Sequence, residues 1–447
     1  MSVIVRFPPS PTGFLHIGNA RAALINYLFA KKNGGKLILR FDDTDGERCK
    51  DEFKTRMLED LEWLGISFDE KYEQSTREVI YRDVLQKLLK SGRVYECFET
   101  EEELEIKRKL ANSRGLPPIY DRASLGFTAD QKNGREIYYR FKLNHEEIRW
   151  TDLIQGEIKY NGKDLSDPVI LRANGNFMYT FCSVVDDYMM SVSHVLRGAD
   201  HITNTAIQVQ IYDAIEAIFG KKTIQFGHYP LYTSKEGKIS KRVGGFSIIE
   251  LHKAGIDPLA IKNAIFCVGL SYFDNNLKTD DEMISRVDLG DFNKAQIMFD
   301  VDLIEHFNAQ CIQKYTFLQL KSRIIEINSM APAIRIPDIS EDFFEIIREN
   351  LSNLFEIIEW NNAIQLEGSF LSKLSPEDSA FALAAFGFFN KDWSVWLTEI
   401  KKNFPDRKGK NIFVPLRIAI TGCEHGPEMA KIVSIMPNKV LQSRFVS

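Results

Sequence analysis

The sequence lacks the patterns that identify several common classes of protein. Its six cysteines stand singly, without a C-x-x-C pair, so neither a disulfide framework nor a structural zinc site is expected. No apolar run reaches the roughly 18 residues of a membrane-spanning helix, and no signal-peptide pattern opens the sequence. Motifs for Ser/His/Asp or Cys/His nucleophilic catalysis are absent too. We therefore expect a cytoplasmic protein without a membrane segment.

The sequence also lacks a large excess of charge of one sign. Its net charge is −5, which argues against bulk affinity for nucleic acid but leaves room for a local basic face. Two stretches are locally basic, at 221–242 and 401–410, although each taken alone is more often a solvated surface. With 447 residues, of which 44% are hydrophobic, the chain is long enough for about three domains.

The first residues indicate a strand, a Pro/Gly turn and a helix. Residues 3–7 are mostly β-branched and end at Pro8, and apolar residues recur at helical spacing after His16 until Gly34. A helix N-terminus presents unpaired N–H groups, and a glycine such as Gly18 lets a phosphate approach the backbone. This turn therefore predicts a phosphate site, with an ordinary turn and a capping histidine as the alternative. G-x-G-x-x-G and P-loop spacings do not occur.

The following pattern predicts a parallel α/β sheet with an insertion. A strand at 36–41 completes a right-handed βαβ unit with the first strand and helix, and apolar residues at 53–64 mark the next helix. Charged helix, turns and strand-like pieces between about 90 and 190 interrupt the alternation, which returns with a strand at 193–197 and a helix at 205–219. Amphipathic helices follow from about 247. Ligands bind at the carboxyl ends of such strands, which places Arg6 and Asp42 on one edge.

Two short motifs resemble the signatures of class I aminoacyl-tRNA synthetases. His16 to Asn19 resembles the "HIGH" motif, and Lys238 to Arg242 resembles the "KMSKS" motif. The flanking stretches at 9–13, 40–45 and 415–422 are similar to those of bacterial glutamyl-tRNA synthetases in particular, and the resemblance covers nearly the whole chain.

The resemblance implies an α/β fold with a Rossmann-like catalytic domain, an inserted α/β acceptor-binding domain and an all-α C-terminal anticodon-binding region. We expect the catalytic domain at 1–90 and 191–245, with the insert at 91–190 gripping the acceptor end of tRNA. A helical domain at 246–312 would contact the tRNA stem, and the helices of 313–447 would read the anticodon. We expect a monomer.

The resemblance also implies ATP-dependent attachment of glutamate to tRNA(Glu) through a glutamyl-adenylate. His16, Lys238 and Lys241 would be catalytic, with the lysines meeting charge on the departing pyrophosphate. The implied ATP-binding residues lie along both motifs, namely Pro9, Thr12, Gly13, His16, Gly18, Asn19, Lys238, Ser240 and Lys241. Magnesium would ride on ATP rather than on protein carboxylates, so Asp187 and Asp43 to Asp45 are expected to orient arginines and we predict no metal ligand.

A glutamate side chain demands a cation, and the planar fork of arginine suits a carboxylate. Arg6 and Arg197 are the candidates, although either arginine alone is more often part of an ordinary ion pair. By resemblance Tyr179 joins them, while Ser10 and Asp42 meet the α-ammonium group. Asp42 stands where the family has glutamate, and Ala199 replaces another usual glutamate. These departures keep a non-catalytic, tRNA-binding paralogue as an alternative.

The choice of tRNA stays open at this stage. Candidate tRNA contacts in the helical region are Asn350, Lys408, Lys410 and Arg417, with Arg348 nearby. Family members that reject tRNA(Gln) carry an arginine where this sequence has Asn350, so a non-discriminating or tRNA(Gln)-directed enzyme is a second alternative. A shortened relative that glutamylates a base of tRNA(Asp) lacks an anticodon-binding region, and the long helical part of this chain argues against it.

Overall fold

The computed structural model describes residues 2–233, 247–271, 274–330 and 333–446. Within them the chain forms two compact units. The first contains residues up to 249 together with 265–300, and the second contains 250–264 together with the residues from 301 onward. Lys238, Ser240 and Lys241 lie outside the described residues. No helix in the described ranges has the length and apolar character needed to cross a membrane.

The first unit contains the strands and most of the helices that lie between them along the chain. Its strands are β1 (Ile4–Phe7), β2 (Lys36–Phe41), β3 (Glu70–Glu73), β4 (Val94–Cys97), β5 (Tyr138–Phe141), β6 (Glu147–Asp152), β7 (Gly156–Asn161), β8 (Val169–Leu171), β9 (His194–Gly198), β10 (Gln225–Tyr229), β11 (Tyr232–Thr233) and β12 (Ile297–Met298). The helices up to residue 286 are α1 (Ile17–Lys32), α2 (Asp51–Trp63), α3 (Glu78–Lys90), α4 (Glu101–Ser113), α5 (Ala129–Lys132), α6 (Tyr179–Met189), α7 (Ile202–Phe219), α8 (Ile248–Lys253), α9 (Pro258–Cys267) and α10 (Asp280–Arg286). Of these, α8 and α9 contribute residues to both units.

Parallel strands form the centre of the first unit. The strand β2 pairs in parallel with β1 and with β3, and β10 pairs in parallel with β9 and β6. Ile4 and Ser193 connect the two groups, since the Ile4 N–H donates to Ser193 Oγ at 2.8 Å and the Ser193 N–H donates to the Ile4 carbonyl at 2.9 Å. The strands β1 and β9 therefore begin side by side. A Rossmann-like parallel sheet is confirmed, and its carboxyl ends form the ligand edge typical of this topology.

The helix α1 forms where the apolar spacing predicts it. His16 caps its N-terminus, and Ala20, Ala23, Leu24 and Leu28 are buried on one face. Lys31 and Lys32 stand in the last turn, where a cation meets the negative end of the helix dipole. Gly34 follows with a φ of 58°, a left-handed conformation that glycine adopts without strain. The chain can then turn directly into β2.

The residues predicted to form the insertion contain an antiparallel sheet ordered β4, β5, β8. Beside it Glu99 is buried and accepts hydrogen bonds from the hydroxyls of Tyr120 at 2.8 Å, Ser124, and Tyr138 at 3.3 Å. Cys97 also lies in this cluster, and burial raises the pKa of its thiol to about 11. One cysteine among hydroxyls that already bond a carboxylate does not fit a zinc site. Among the described residues no group of three or more His, Cys, Asp or Glu side chains fits a metal ion.

The second unit is helical over its described residues. Its further helices are α11 (Asp302–Lys314), α12 (Phe317–Met330), α13 (Glu341–Ile347), α14 (Glu356–Gln365), α15 (Pro376–Phe386), α16 (Trp393–Asn403), α17 (Lys410–Thr421), α18 (Met429–Ile435) and α19 (Asn438–Ser443). Trp396 is fully buried in its core and donates its indole N–H to the Ala385 carbonyl at 2.8 Å.

Arg444 occupies the interior of the same unit without a carboxylate partner among the described residues. Its guanidinium donates to four backbone carbonyls, those of Ile420 at 3.0 Å, Ala363 at 2.7 Å, Leu366 at 2.8 Å, and Gly368. The guanidinium carbon also lies 4.4 Å from the centre of the Phe370 ring. This single side chain therefore joins three segments of the helical unit.

Candidate active site

The N-terminus of α1 carries a histidine whose proton can be assigned from its contacts. The backbone N–H groups of Gly18 and Asn19 donate to His16 Nδ1 at 3.1 and 3.3 Å. Loss of hydration lowers the pKa of His16, so the ring is neutral near pH 7 and its single proton lies on Nε2. His16 therefore offers an N–H donor beside the positive end of the helix dipole, which suits a phosphate oxygen.

Gly18 is needed for this arrangement of the imidazole. A Cβ atom at position 18 would lie 3.0 Å from His16 Cε1 and 3.1 Å from His16 Nδ1, closer than ordinary van der Waals contact. Pro9, Thr12 and Gly13 lie in the turn between β1 and α1, and Asn19 is in the first turn of the helix. The structure therefore gathers the predicted ATP-binding residues of the first motif around one helix terminus.

The second motif can be related to this terminus only through the residue that follows it. Ser247 forms a β-bridge with His16, and the Ile248 N–H donates to the Leu15 carbonyl at 2.8 Å. The chain that resumes at Ser247 therefore lies against the turn that carries His16. The positions of Lys238, Ser240 and Lys241 stay predictions because they lie outside the described residues.

Arg6, in β1, presents a buried guanidinium that is only partly satisfied. Its side chain is 1% exposed, and its Nε lies 3.3 and 3.4 Å from the two carboxylate oxygens of Asp187. Neither terminal nitrogen has a hydrogen-bond partner among the described residues. A buried polar group without a partner costs about 1 to 3 kcal/mol, and more when it is charged. Such a guanidinium is expected where an anionic ligand completes the site.

Arg40, at the end of β2, connects the carboxylates of Asp42 and Asp187. Its Nε donates to Asp42 Oδ1 at 2.7 Å, its Nη2 lies 3.4 Å from Asp42 Oδ2, and its Nη1 donates to Asp187 Oδ1 at 2.7 Å. Burial raises the pKa of Asp42 to about 6 despite the nearby arginine. For Asp187 the arginines Arg6 and Arg40 outweigh burial and lower the pKa. Asp187 thus orients arginines, as expected from the sequence.

The carboxylate of the neighbouring Asp186 is engaged in hydrogen bonds with other side chains of the protein. It accepts from Arg77 Nε at 2.6 Å, from the Tyr81 hydroxyl at 2.7 Å and from Gln74 Nε2 at 3.0 Å. We call Arg6, Arg40, Arg77 and Arg197 together with Asp42, Asp186 and Asp187 the arginine cluster. Its four cations face three carboxylates, so one positive charge is left for a monovalent anion. No sequence motif predicted Asp186, Arg77 or Arg40 as members.

Arg197, in β9, is the second buried guanidinium of the cluster. Its Nη2 donates to Thr205 Oγ1 at 2.7 Å and to Gln208 Oε1 at 2.6 Å, and its Nη1 lies 3.4 Å from the Tyr179 hydroxyl. Burial lowers the pKa of Arg197, and the nearby charge of Arg6 contributes to this shift. The structure therefore brings Arg6, Arg197 and Tyr179 together as the sequence predicts.

The two residues predicted to meet the α-ammonium group differ in their surroundings. Ser10 is exposed in the turn after β1, while Asp42 points both of its oxygens at Arg40. His201, which sequence reasoning did not single out, lies 6.0 Å from Tyr179 between ring centres. Burial, reinforced by the charge of Arg197, lowers the pKa of His201 to about 4. The ring is therefore neutral near pH 7 and adds no positive charge.

The predicted tRNA contacts lie in the second unit and differ in exposure. Asn350, Lys408 and Lys410 are exposed. Arg417 is half-buried, and its Nη1 donates to the Pro427 carbonyl at 2.6 Å. Arg348 pairs with Glu345 at 2.9 Å. These positions stay predictions.

A family comparison defines the class of protein to which this site belongs. It agrees with the parallel sheet, the helix N-terminus suited to phosphate and the arginine cluster. The model described as "tRNA synthetases class I (E and Q), catalytic domain" matches residues 2–306. The chain belongs to this family of class I tRNA synthetases.

Comparison with individual proteins narrows the position of the chain within that family. It is 41% identical to glutamate–tRNA ligase 2 of Rickettsia canadensis (strain McKiel) and 40% identical to glutamate–tRNA ligase 1 of Rickettsia bellii (strain OSU 85-389), in each case over 99% of both chains. A crystal structure of a glutamate tRNA ligase from Elizabethkingia meningosepticum, in complex with its amino acid, superposes with a TM-score of 0.82 at 26% identity. It covers 100% of this chain and 98% of that one. The similarity to ligases of this kind thus extends over the whole length.

Proposed function

We propose that the protein joins glutamate to the 3′ end of tRNA in two steps, using ATP. The α-carboxylate of glutamate attacks the α-phosphorus of ATP, and pyrophosphate leaves. A terminal tRNA hydroxyl then attacks the glutamyl-adenylate carbonyl, and AMP leaves. Neither step needs a protein nucleophile, since both depend on positioning and charge stabilisation. The observation that carries this proposal is the buried Arg6 guanidinium, whose two terminal nitrogens lack partners among the described residues.

The side-chain carboxylate of glutamate is the anion that balances the arginine cluster. Arg6 offers both terminal nitrogens, and Arg197 offers Nη1 beside the Tyr179 hydroxyl. Asp42 and Ser10 would meet the α-ammonium group. Because the shorter Asp42 side chain is held by Arg40 at 2.7 Å, we propose that it reaches the ammonium through a water molecule. Glutamine, which has no negative side chain, leaves the positive charge uncompensated and is excluded electrostatically.

ATP would bind along the N-terminus of α1. The Nε2–H group of His16 donates to phosphate, and Gly18 leaves room for the nucleotide beside the helix. Lys238 and Lys241 would stabilise the pyrophosphate as it leaves, with magnesium carried by the ATP phosphates. The β-bridge between Ser247 and His16 supports this because it brings the chain after the lysine motif to the same turn.

The tRNA would contact the inserted residues 91–190 with its acceptor end, 246–312 with its stem and the helices of 313–447 with its anticodon. Asn350, Lys408, Lys410 and Arg417 are the proposed anticodon-side contacts. A relaxed preference that includes tRNA(Gln) is a second candidate, favoured because an exposed asparagine stands at position 350 where discriminating enzymes have arginine. We propose that the enzyme acts as a cytoplasmic monomer.

Glutamate-dependent exchange of pyrophosphate into ATP, measured with and without tRNA, tests the activity. We expect exchange with glutamate and none with glutamine or aspartate. Charging of tRNA(Glu) and tRNA(Gln) transcripts with radiolabelled glutamate, side by side, then determines the acceptor. Folded protein that binds tRNA but supports no exchange under either condition would identify a non-catalytic paralogue and contradict the proposal.

A further inference from the structure

Three neighbouring strands bring together three ionisable side chains, one of which is Arg197. Asp152 ends β6, His228 lies in β10 and Arg197 lies in β9. The strand β10 pairs with both of the others, and His228 stands directly opposite Arg197 in the register. All three residues are buried. Each buried ionisable side chain in such a row needs hydrogen-bond partners. The partners of each side chain therefore indicate which of its atoms carry protons.

The carboxylate of Asp152 is held in one orientation. Its Oδ1 accepts backbone N–H groups from Ile154 at 3.0 Å, Gln155 at 2.9 Å and His228 at 3.0 Å. Its Oδ2 is left to contact His228 Nδ1. Burial opposes ionisation of Asp152, but these hydrogen bonds outweigh it and lower its pKa. Because a carboxylate only accepts hydrogen bonds, the contacting Nδ1 must carry a proton.

The other ring nitrogen of His228 is therefore an acceptor. Burial lowers the pKa of His228, which leaves the ring neutral and Nε2 without a proton. Arg197 Nε lies 3.4 Å from Nε2 and Thr205 Oγ1 lies 2.8 Å from it. Thr205 in turn accepts from Arg197 Nη2. One side of the Arg197 guanidinium is thus fixed by His228, Thr205 and Gln208, and Nη1 is left toward Tyr179.

We propose that Asp152 and His228 are positioning residues for the amino acid substrate. Asp152 fixes the Nδ1–H form of His228, and the free Nε2 orients Arg197 so that its Nη1 edge receives the glutamate carboxylate. This inference rests on the proposed function and deepens it. Neither residue touches the substrate, and both act through Arg197.

Asp152→Asn provides a sharp test because only one orientation of the new amide fits. The three backbone N–H groups require an acceptor at the Oδ1 position, so the amide nitrogen occupies the Oδ2 position and donates to His228 Nδ1. The ring proton then moves to Nε2, where it faces Arg197 Nε–H, donor against donor. We expect the KM for glutamate to rise about tenfold, with the KM for ATP unchanged and kcat changed less than the KM.

Nitrogen-15 NMR of labelled histidine reads the proposed state directly. The wild-type enzyme should show neutral His228 with the proton on Nδ1, and Asp152→Asn should show it on Nε2. Glu326→Gln serves as the matched control, because it alters the 2.6 Å contact of Glu326 with His252 in the second unit. We expect that variant to leave the glutamate KM unchanged.

A pair of His228 variants completes the test. A glutamine side chain places its amide acceptor near the position of Nε2. The shorter asparagine side chain places its amide group only near the position of Nδ1. His228→Gln should therefore retain a glutamate KM within about threefold of wild type, and His228→Asn should lose about tenfold or more. Wild-type His228 with its proton on Nε2, or Asp152→Asn with an unchanged glutamate KM, would overturn the proposal. A wild-type enzyme without glutamate-dependent exchange would instead refute the proposed function itself.

Discussion

At the residue scale, the site depends on arginines that are buried although arginine normally keeps its charge in water. The side chains of Arg6 and Arg40 are 1% and 0% exposed, and Arg197 is buried as well. Asp42 and Asp187 compensate Arg40, but Arg6 shares Asp187 with Arg40 and leaves two nitrogens without a partner in the described structure. Desolvation of an incompletely paired cation lowers stability, and a bound carboxylate restores the balance. The amino acid substrate should therefore stabilise the folded enzyme.

Substitution of Arg6 by lysine tests the need for a planar fork. The ammonium group keeps the charge but cannot bind a carboxylate with two parallel hydrogen bonds. We expect the glutamate KM in pyrophosphate exchange to rise about 100-fold, equivalent to about 3 kcal/mol. Arg56→Lys is the matched control, since Arg56 forms an ion pair with Asp60 within α2. Equal effects in the two variants would mean that Arg6 is only structural.

The raised pKa of Asp42 predicts a specific dependence of glutamate binding on pH. Its pKa is raised to about 6, so it is ionised at pH 7.5 and gains a proton as the pH falls through 6. Loss of its negative charge weakens attraction for the α-ammonium group, and we expect the glutamate KM to rise about tenfold per pH unit below 6. Kinetics between pH 5 and 8 check this.

Two variants separate Asp42 from general effects of acid. Asp42→Asn should have a high glutamate KM that does not change between pH 5 and 7. Asp213→Asn alters another carboxyl whose pKa is raised by burial and should retain the wild-type profile. A rise below pH 6 that persists in Asp42→Asn would assign the titration to another group.

At the scale of single elements, α1 combines a structural and a chemical role in one cap. His16 Nδ1 accepts two backbone N–H groups of the first turn, which leaves Nε2 for the phosphate contact that we propose. Gly18→Ala tests the position of the imidazole because its methyl group pushes the ring aside, and the gain of about 0.5 to 1 kcal/mol from alanine in the helix is offset by loss of the His16 cap. We expect a Tm close to that of the wild type and an ATP KM about tenfold higher.

Gly126→Ala is a suitable control for this substitution, since nothing lies within 4 Å of a Cβ atom there. It should leave the ATP KM unchanged. An unaltered ATP KM in Gly18→Ala, with wild-type thermal stability, would show that the imidazole does not need its observed position.

Local sequence patterns predicted β1, β2 and β9 but not β3, β6 or β10, and they did not predict the contacts that cross the sheet. The strand β2 and the helices α1 and α2 lie where apolar spacing and turn residues place them, because these signals act over a few residues. Arg6 and Arg197 were predicted from the charge of the substrate. Asp152 and His228 are 76 positions apart and meet only through the register of β6 and β10. The available signal was a histidine that follows Phe226 and Gly227 in β10.

At the scale of the whole molecule, the proposed anticodon-side contacts all lie in the second unit. Asn350→Arg introduces a planar cation at the position where the family resemblance implies an arginine in members that reject tRNA(Gln). We expect kcat/KM for tRNA(Gln) to fall at least about tenfold relative to tRNA(Glu). Charging of both transcripts measures the ratio.

Asn350→Lys distinguishes recognition from simple charge. It adds the same charge without the fork, and it should change charging of both tRNAs by similar factors. If the ratio of tRNA(Gln) to tRNA(Glu) charging changes equally in the lysine and arginine variants, the effect is due to charge alone.

The helical unit depends on Arg444, and removal of its side chain should weaken that unit severely. Arg444→Leu leaves buried carbonyls without donors, so we expect a loss of about 3 to 5 kcal/mol in the free energy of unfolding. Urea denaturation followed by tryptophan fluorescence measures it. Lys439→Ala, which removes an exposed ion pair with Glu367, should cost less than about 1 kcal/mol. Comparable losses in both variants would contradict the role of Arg444.

The position of Arg444 also has a consequence for the order in which the protein matures on the ribosome. The carbonyls at 363, 366, 368 and 420 are made well before the side chain that satisfies them. While residue 444 remains in the exit tunnel, the helices already translated lack this common donor. We therefore expect the helical unit to reach its full stability only after residue 444 has left the tunnel.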